Sequence, residues 1–198
     1  RGHDVAQIIL GQYLIEHDAV GAYYRSRPLL LSIGLDLEDA IAAPMAKSSG
    51  FSDGRDIGVV CYLPPEPGHG VTVLPMSGDV GSQYTQTAGW AQALRYRVHI
   101  LREKRFEGAA GIVLGGEASV ATNGFWSALT MATTLKLPML FYIEDNSYGI
   151  SVPGEFQTPG GNIAKNLASF ENLKVLDGDG TNPKATDQLV SEALAHVR

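Results

Sequence analysis

Residues 110–146 read AGIVLGGEASVATNGFWSALTMATTLKLPMLFYIEDN. A short apolar run, Ile112 to Leu114, stops at two glycines and meets a single carboxylate, Glu117. Helical spacing follows over NGFWSALTMATTLK, and PMLFYIE closes the stretch as a second apolar run ending in Glu144-Asp145-Asn146. Two strands that are apolar throughout, separated by a helix, are the signature of a parallel sheet covered on both faces. The fold class expected is therefore α/β, a parallel sheet with helices on both faces.

Working outward, the same alternation continues. VTVLP (71–75) is a β-branched run, and SQYTQTAGWAQALRYRVHILRE is helical. Beyond the central unit, GNIAKNLASF predicts a short helix, LKVLDGD a fourth strand and NPKATDQLVSEALAHV a final helix. Towards the N-terminus, Val5, Ile8, Ile9 and Tyr13 have helical spacing with Asp4 as an early acid, which predicts a helix over about 4–16. DLEDAIAAPMAK predicts another over about 36–47, interrupted or kinked at Pro44. Residues 48–70 are rich in Gly, Pro, Ser and Asp and form a long loop, a length that in compact domains is often functional.

Composition narrows the classes. With 198 residues and 44% hydrophobic content the chain can bury a sizeable core, and no stretch approaches the roughly 20 apolar residues of a membrane helix. A formal charge of −6 argues against nonspecific binding to nucleic acid or anionic membranes. Arg95 to Arg105 (RYRVHILREKR) reads as the solvated end of a helix. Cys61 stands alone, which excludes an internal disulfide framework or a thiolate zinc cluster and is compatible with a cytoplasmic location. RGHDVAQ lacks a signal peptide's order, and both ends of the chain fall inside helical patterns. The expectation is a single domain over residues 1–198, cut at both ends from a longer chain.

In such a sheet, ligands bind outside the carboxyl ends of the strands. Gly115-Gly116-Glu117 and Glu144-Asp145-Asn146 close two successive strands, so Glu117 and Asn146 could meet around one ion. A carboxylate, an amide and backbone carbonyls are hard oxygen donors that favour Mg²⁺ or Ca²⁺ over zinc. So few protein oxygens leave room for waters and a phosphate-bearing ligand, which the helix beginning near Thr122 to Gly124 would face with its N-terminus. An ordinary loop between strand and helix is the competing reading of the same residues.

The block GGEASVATNGFWSALTMATTLKLPMLFYIEDNSYGISVP resembles the thiamine-diphosphate motif, in which a Gly-Asp-Gly start and an Asn-Asn end are separated by just under thirty residues. Glu117 precedes Asn146 by 29. The interior resembles the alpha part of the thiamine-dependent decarboxylating component of 2-oxo acid dehydrogenase complexes, of the branched-chain and pyruvate types. RGHDVAQIILG, AYYRSRPLLLSIG, SGFSDGR and MSGDVGSQYTQTAGWAQA resemble further landmarks of that family in the family's order.

The resemblance implies a residue for each task. Glu117 takes the metal-ligand place usually held by Asp; Asn146 matches the second ligand, and Tyr148 would add its backbone carbonyl. Gly116, Ala118 and Ser119 match positions whose backbone lies at the diphosphate, and Tyr24 and Arg25 the pair that holds it. Gly78 and Val80 match the residues beside the aminopyrimidine, and Ile150 a further cofactor contact. Ser77, Asp79, Ser82 and Gln83 match a monovalent-cation (K⁺) site of some members. Departures from the pattern are also plain. Ala118 replaces the second glycine, and Asp145 the first asparagine. Asn123 and Ser127 stand where relatives often place an acid, and Glu144 stands where some have an Arg that reaches the phosphates. The literal Gly178-Asp179-Gly180 is a decoy, because Asn182 follows too closely for a strand-helix-strand unit; Thr181 or Asn182 caps the last helix.

The implied activity is decarboxylation of a 2-oxo acid by thiamine diphosphate with Mg²⁺, then reductive transfer of the acyl group to a lipoyl domain. Partners implied are a beta-type domain or subunit that completes the site, the lipoyl domain, and the 2-oxo acid. The resemblance places the catalytic histidines outside this sequence; among the five here, His3 and His69 remain as substrate-side candidates, with Arg55 and Asp56 in the long loop either substrate-facing or solvated. Phe125, Trp126, Leu129 and Met131 are expected to pack in the core. Two other readings stay open: a transketolase-like enzyme using the same cofactor, and a binding or assembly fragment without turnover.

Overall fold

The structure is a computed structural model that describes residues 3–48, 50, 52–55 and 70–198. Cys61, His69 and Asp56 lie outside the described residues. Four parallel strands, β1 (Ala19–Gly21), β2 (Thr72–Val73), β3 (Gly111–Gly116) and β4 (Met139–Glu144), form one sheet in the order β2-β1-β3-β4. A small antiparallel hairpin, β5 (Tyr148–Gly149) with β6 (Val152–Pro153), follows β4. The helices are α1 (His3–Gln12), α2 (Arg27–Ser32), α3 (Leu37–Ala42), α4 (Ser82–His99), α5 (Asn123–Leu135), α6 (Ile163–Leu167) and α7 (Pro183–Val197). None is long and apolar enough to cross a membrane among the described residues.

Side-chain alternation along the strands divides the core in two. Ile112 and Leu114 of β3, with Leu140 and Tyr142 of β4, pack against Leu10 of α1, Leu29 and Leu30 of α2, and Val190 and Leu194 of α7. Val113, Met139, Phe141 and Ile143 point the other way, onto Tyr84 and Ala88 of α4, Phe125 and Leu129 of α5, and Leu167 of α6. Both faces are covered, as continuously apolar strands require. On the second face α4 lies close because two strand residues carry no side chain. A Cβ on Gly21 would stand 2.0 Å from Thr87 Oγ1, and one on Gly115 would stand 2.1 Å from the Tyr84 hydroxyl.

Several sequence expectations are corrected. LKVLDGD is not a strand: Leu173 and Val175 pack against the second core cluster, but no ladder forms there among the described residues. The fourth strand is instead β1, three residues too short to show any periodicity. Its entry is set by buried Asp18, whose carboxylate accepts from Ala110 N (2.8 Å) and Ile15 N (2.9 Å) and pairs with Arg198 (2.7 Å). Helix α1 stops at Gln12 instead of continuing to 16, with turn bonds from Tyr13 N to Leu10 O and from Leu14 N to Gly11 O. Helix α3 ends at Ala42 with Pro44 just past the C-cap, so of the two expected outcomes the proline interrupts the helix and does not kink it. Asn182 is the cap of α7, accepting from Lys184 N and Ala185 N, whereas Thr181 bonds to Asp179.

Trp126 is the exception among the residues expected in the core. Phe125 and Leu129 are buried and Met131 packs at the edge of the second cluster, but Trp126, one step round α5, is 42% exposed. Leu129→Ala should therefore cost about 3 kcal/mol of stability and Trp126→Ala less than about 1.5 kcal/mol. Urea unfolding midpoints at an unchanged slope measure both.

Candidate functional site

The strand order creates one crevice. From β1 the chain passes to β2 by way of α2 and α3, and α2 packs in the first core cluster; from β3 it passes to β4 through α5, on the opposite face. Adjacent strands whose connections leave to opposite faces define a topological switch point, and here that point lies between the carboxyl ends of β1 and β3. Tyr23 to Arg25 follow β1, Glu117 to Ser119 follow β3, and Asn146 to Ile150 follow β4. The strand that delivers Tyr24 and Arg25 is the one that periodicity missed.

Register brings the β3 and β4 ends together. Gly116 pairs with Glu144, the last step of a six-residue parallel ladder. The next residue, Glu117, opens a 3-10 turn (Glu117–Ala121) and is only 4% exposed. Its Oε2 accepts weakly from Asn146 N at 3.4 Å, while its Oε1 is buried with no hydrogen-bond partner among the described residues. Asn146 is exposed, and its Oδ1 accepts from Tyr148 N at 3.0 Å, which turns the chain into the hairpin. Gly149 of that hairpin lies against Ala118, where an added Cβ would come within 2.7 Å. Glu117, Ala118, Asn146 and Tyr148 thus share one corner. Ile150 is fully exposed beyond it, with φ +59°.

The turn is braced from below. Ser119 Oγ donates to Gly116 O at 2.5 Å and lies 2.5 Å from the Tyr84 hydroxyl, and Thr122 Oγ1 donates to Ser119 O at 2.7 Å. Burial pushes the Tyr84 phenol up to about 12, with the Ser119 contact opposing the shift, so it remains a neutral hydroxyl. The two glycines differ in purpose. Gly115 makes room for Tyr84 and Ser119; a Cβ on Gly116 would meet only Glu144 O at 3.8 Å.

Tyr24 and Arg25 stand at the neighbouring strand end. The Arg25 guanidinium lies 5.7 Å from the Tyr23 ring centroid and 5.4 Å from that of Tyr24, and its Nη2 donates to the Tyr24 hydroxyl at 3.2 Å. Its Nη1, and Nε of Arg27, are buried without partners among the described residues. A groove of about 740 Å³, lined in part by Asp4, Ile8, Tyr24, Arg25 and Arg27, opens here.

Gly78 and Val80 lie in the loop that follows β2, with open space around Gly78 and Val80 exposed. That loop reaches the turn after β3 through Gly81, whose φ of +91° and fit against Thr122 leave no place for a side chain. Of the four residues matched to a cation site, Ser77 Oγ accepts from Asp79 N, Ser82 Oγ donates to Asp79 O, and Gln83 Nε2 donates to Leu114 O. His3 places Nδ1 3.7 Å from buried Glu144, and Arg55 is exposed beside Asp53. Sequence reasoning missed Gln7, Tyr23 and Glu144 as a unit, because they are 137 and 121 positions apart in the chain.

Fold and site define a parallel α/β domain with charged and polar side chains gathered at the strand ends of its switch point. Comparison with known proteins agrees and goes further. All of residues 1–198 match the family described as the dehydrogenase E1 component, and the chain belongs to that family. It is 30% identical over 193 residues to the pyruvate dehydrogenase E1 component subunit alpha of Staphylococcus epidermidis, which covers 97% of this chain and 46% of that protein. It is 28% identical over 192 residues to the subunit of the same name from Staphylococcus aureus, with 97% and 46% covered. The chain thus spans about half the length of the curated relatives it matches.

The glycines give a direct check. Gly115→Ala should destabilise the fold by about 2 kcal/mol through overpacking, while Gly116→Ala, at φ −84° and ψ 164°, should melt within about 0.5 kcal/mol of the parent. Thermal denaturation of the two variants side by side tests the difference.

Proposed function

We propose that the chain holds thiamine diphosphate and Mg²⁺ as the alpha part of the decarboxylating component of a 2-oxo acid dehydrogenase. The observation that carries this reading is Glu117 Oε1, a buried carboxylate oxygen with no donor, beside Asn146. Such an oxygen is costly unless a cation or proton meets it. Among the described residues no three His, Cys, Asp or Glu side chains gather to hold a metal, so the donor set here is one carboxylate, the Asn146 amide oxygen and the Tyr148 carbonyl. That set fits Mg²⁺ with its remaining positions filled by diphosphate oxygens and water.

Each residue then has a task. Glu117, Asn146 and Tyr148 hold the metal; Tyr24 and Arg25 grip the diphosphate, with the backbone of Gly116, Ala118 and Ser119 alongside. Arg25 offers Nη1, which has no partner among the described residues. Gly78, Val80 and Ile150 border the organic part of the cofactor, and the turn from Ser77 to Gln83 serves a monovalent cation. When bound, the cofactor supplies the electron sink for loss of carbon dioxide from the 2-oxo acid. A beta-type domain or subunit completes the site, and the acyl group passes to a lipoyl domain. Pyruvate and branched-chain 2-oxo acids are the substrate classes; the relatives' names favour pyruvate.

Calorimetry of thiamine diphosphate with Mg²⁺ tests the metal assignment. Glu117→Ala should weaken binding by at least about a hundredfold, beyond the 10–100-fold typical of outer-sphere partners. Binding indifferent to Glu117 would sink it. Assays of the full-length protein with its beta-type partner, comparing pyruvate with branched-chain 2-oxo acids, then decide the substrate.

A further inference from the structure

We infer that Glu144 is a positioning residue for Arg25: a buried carboxylate that fixes the turn carrying the diphosphate grip from beneath the sheet edge. The inference rests on the cofactor reading above.

Glu144 stands where an arginine of some family members reaches the phosphates, yet its side chain goes elsewhere. As the last residue of β4 it follows the parity of Leu140 and Tyr142, which face α1, and it is 5% exposed. Its Oε2 accepts from the Tyr23 hydroxyl at 2.5 Å, and Gln7 Nε2 donates to Oε1 and Oε2 at 2.9 and 3.1 Å. Burial first, and then the adjacent Glu144 charge, hold the Tyr23 phenol well above the ordinary tyrosine range, so Tyr23 stays a donor.

Two routes lead from this carboxylate to Arg25. Tyr23, locked to Glu144 at its hydroxyl, lies with its ring beside the guanidinium. Gln7, held by Glu144, turns the same Nε2 towards Arg25 O at 3.3 Å, while its Oε1 accepts from Leu29 N. Between them, Ser26 closes the turn: Tyr23 N donates to Ser26 Oγ at 3.1 Å, and Ser26 N donates to Tyr23 O at 2.9 Å.

The distribution of satisfied groups gives this its meaning. Neither Glu144 oxygen, nor Gln7, nor Tyr23 is left without a partner, whereas Arg25 Nη1 at the end of the chain of contacts has none. A well-packed apolar core would be at least as stable as a buried polar cluster, so stability alone does not call for these groups. What they supply is one fixed geometry for a long, flexible cation.

The test is a double-mutant cycle read by calorimetry of thiamine diphosphate with Mg²⁺, on the full-length protein with its beta-type partner. Glu144→Gln and Tyr23→Phe are each made alone and combined with Arg25→Ala. Each single change should weaken binding roughly tenfold, the cost of one disrupted buried hydrogen bond. In the Arg25→Ala background each should change it less than about twofold, because nothing remains to be positioned. Unaltered affinity in folded variants, or a loss that persists undiminished without Arg25, overturns the inference. Should Glu144→Gln not fold, Tyr23→Phe, which removes only a hydroxyl, decides it alone. Wild type that binds no cofactor, or Arg25→Ala that binds as wild type does, overturns the role given to Arg25 and this inference with it. A wild type that loses affinity on Arg25→Ala but keeps it on both other changes overturns this inference only.

Discussion

The parallel ladder between β3 and β4 is the constraint on which the rest depends. Six pairs run from Gly111 with Met139 to Gly116 with Glu144, and the register allows no slip. A shift of β4 by one residue would turn Leu140 and Tyr142 away from the first core cluster and carry Glu144 to the α4 and α5 side. It would also separate Glu117 from Asn146, the two residues that follow the paired ends. Core packing and site geometry are therefore set by one choice of register, and neither can change alone.

The central unit was legible because its signal is local. Strand, helix and strand each carry enough apolar residues to show their period, and their order implies a parallel sheet. What periodicity could not show was fixed by distant contacts. Strand β1 has three residues and owes its place to neighbours on both sides and to Asp18, which bonds a backbone amide 92 positions away. LKVLDGD has a strand's composition, yet its apolar residues pack on the second core cluster without forming a ladder among the described residues. The site divides the same way. Glu117 and Asn146 stood out through their spacing around one helix, while the network of Gln7, Tyr23 and Glu144 joins α1, the end of β1 and the end of β4. Gly115 and Gly116 looked alike in the text, yet the first serves packing and the second leaves open backbone, a distinction that depends on Tyr84.

Three buried carboxylates sharpen the difference between holding a fold and forming a site. Asp18 takes two backbone amides and an arginine, and Glu144 takes a phenol and an amide; both join segments far apart in sequence and have no unmet oxygen. Glu117 is as deeply buried as Glu144 but has one weak donor on Oε2 and nothing on Oε1. A chain that can satisfy two buried acids so completely has the means to satisfy the third. It does not, at the switch point between β1 and β3. The open oxygen and the open Arg25 nitrogen thus lie at the two strand ends that frame the switch point, one able to meet a cation and the other an anion. On the function proposed above, a metal-bound diphosphate would answer the two deficits at once, and neither a bare metal nor a bare phosphate would do so.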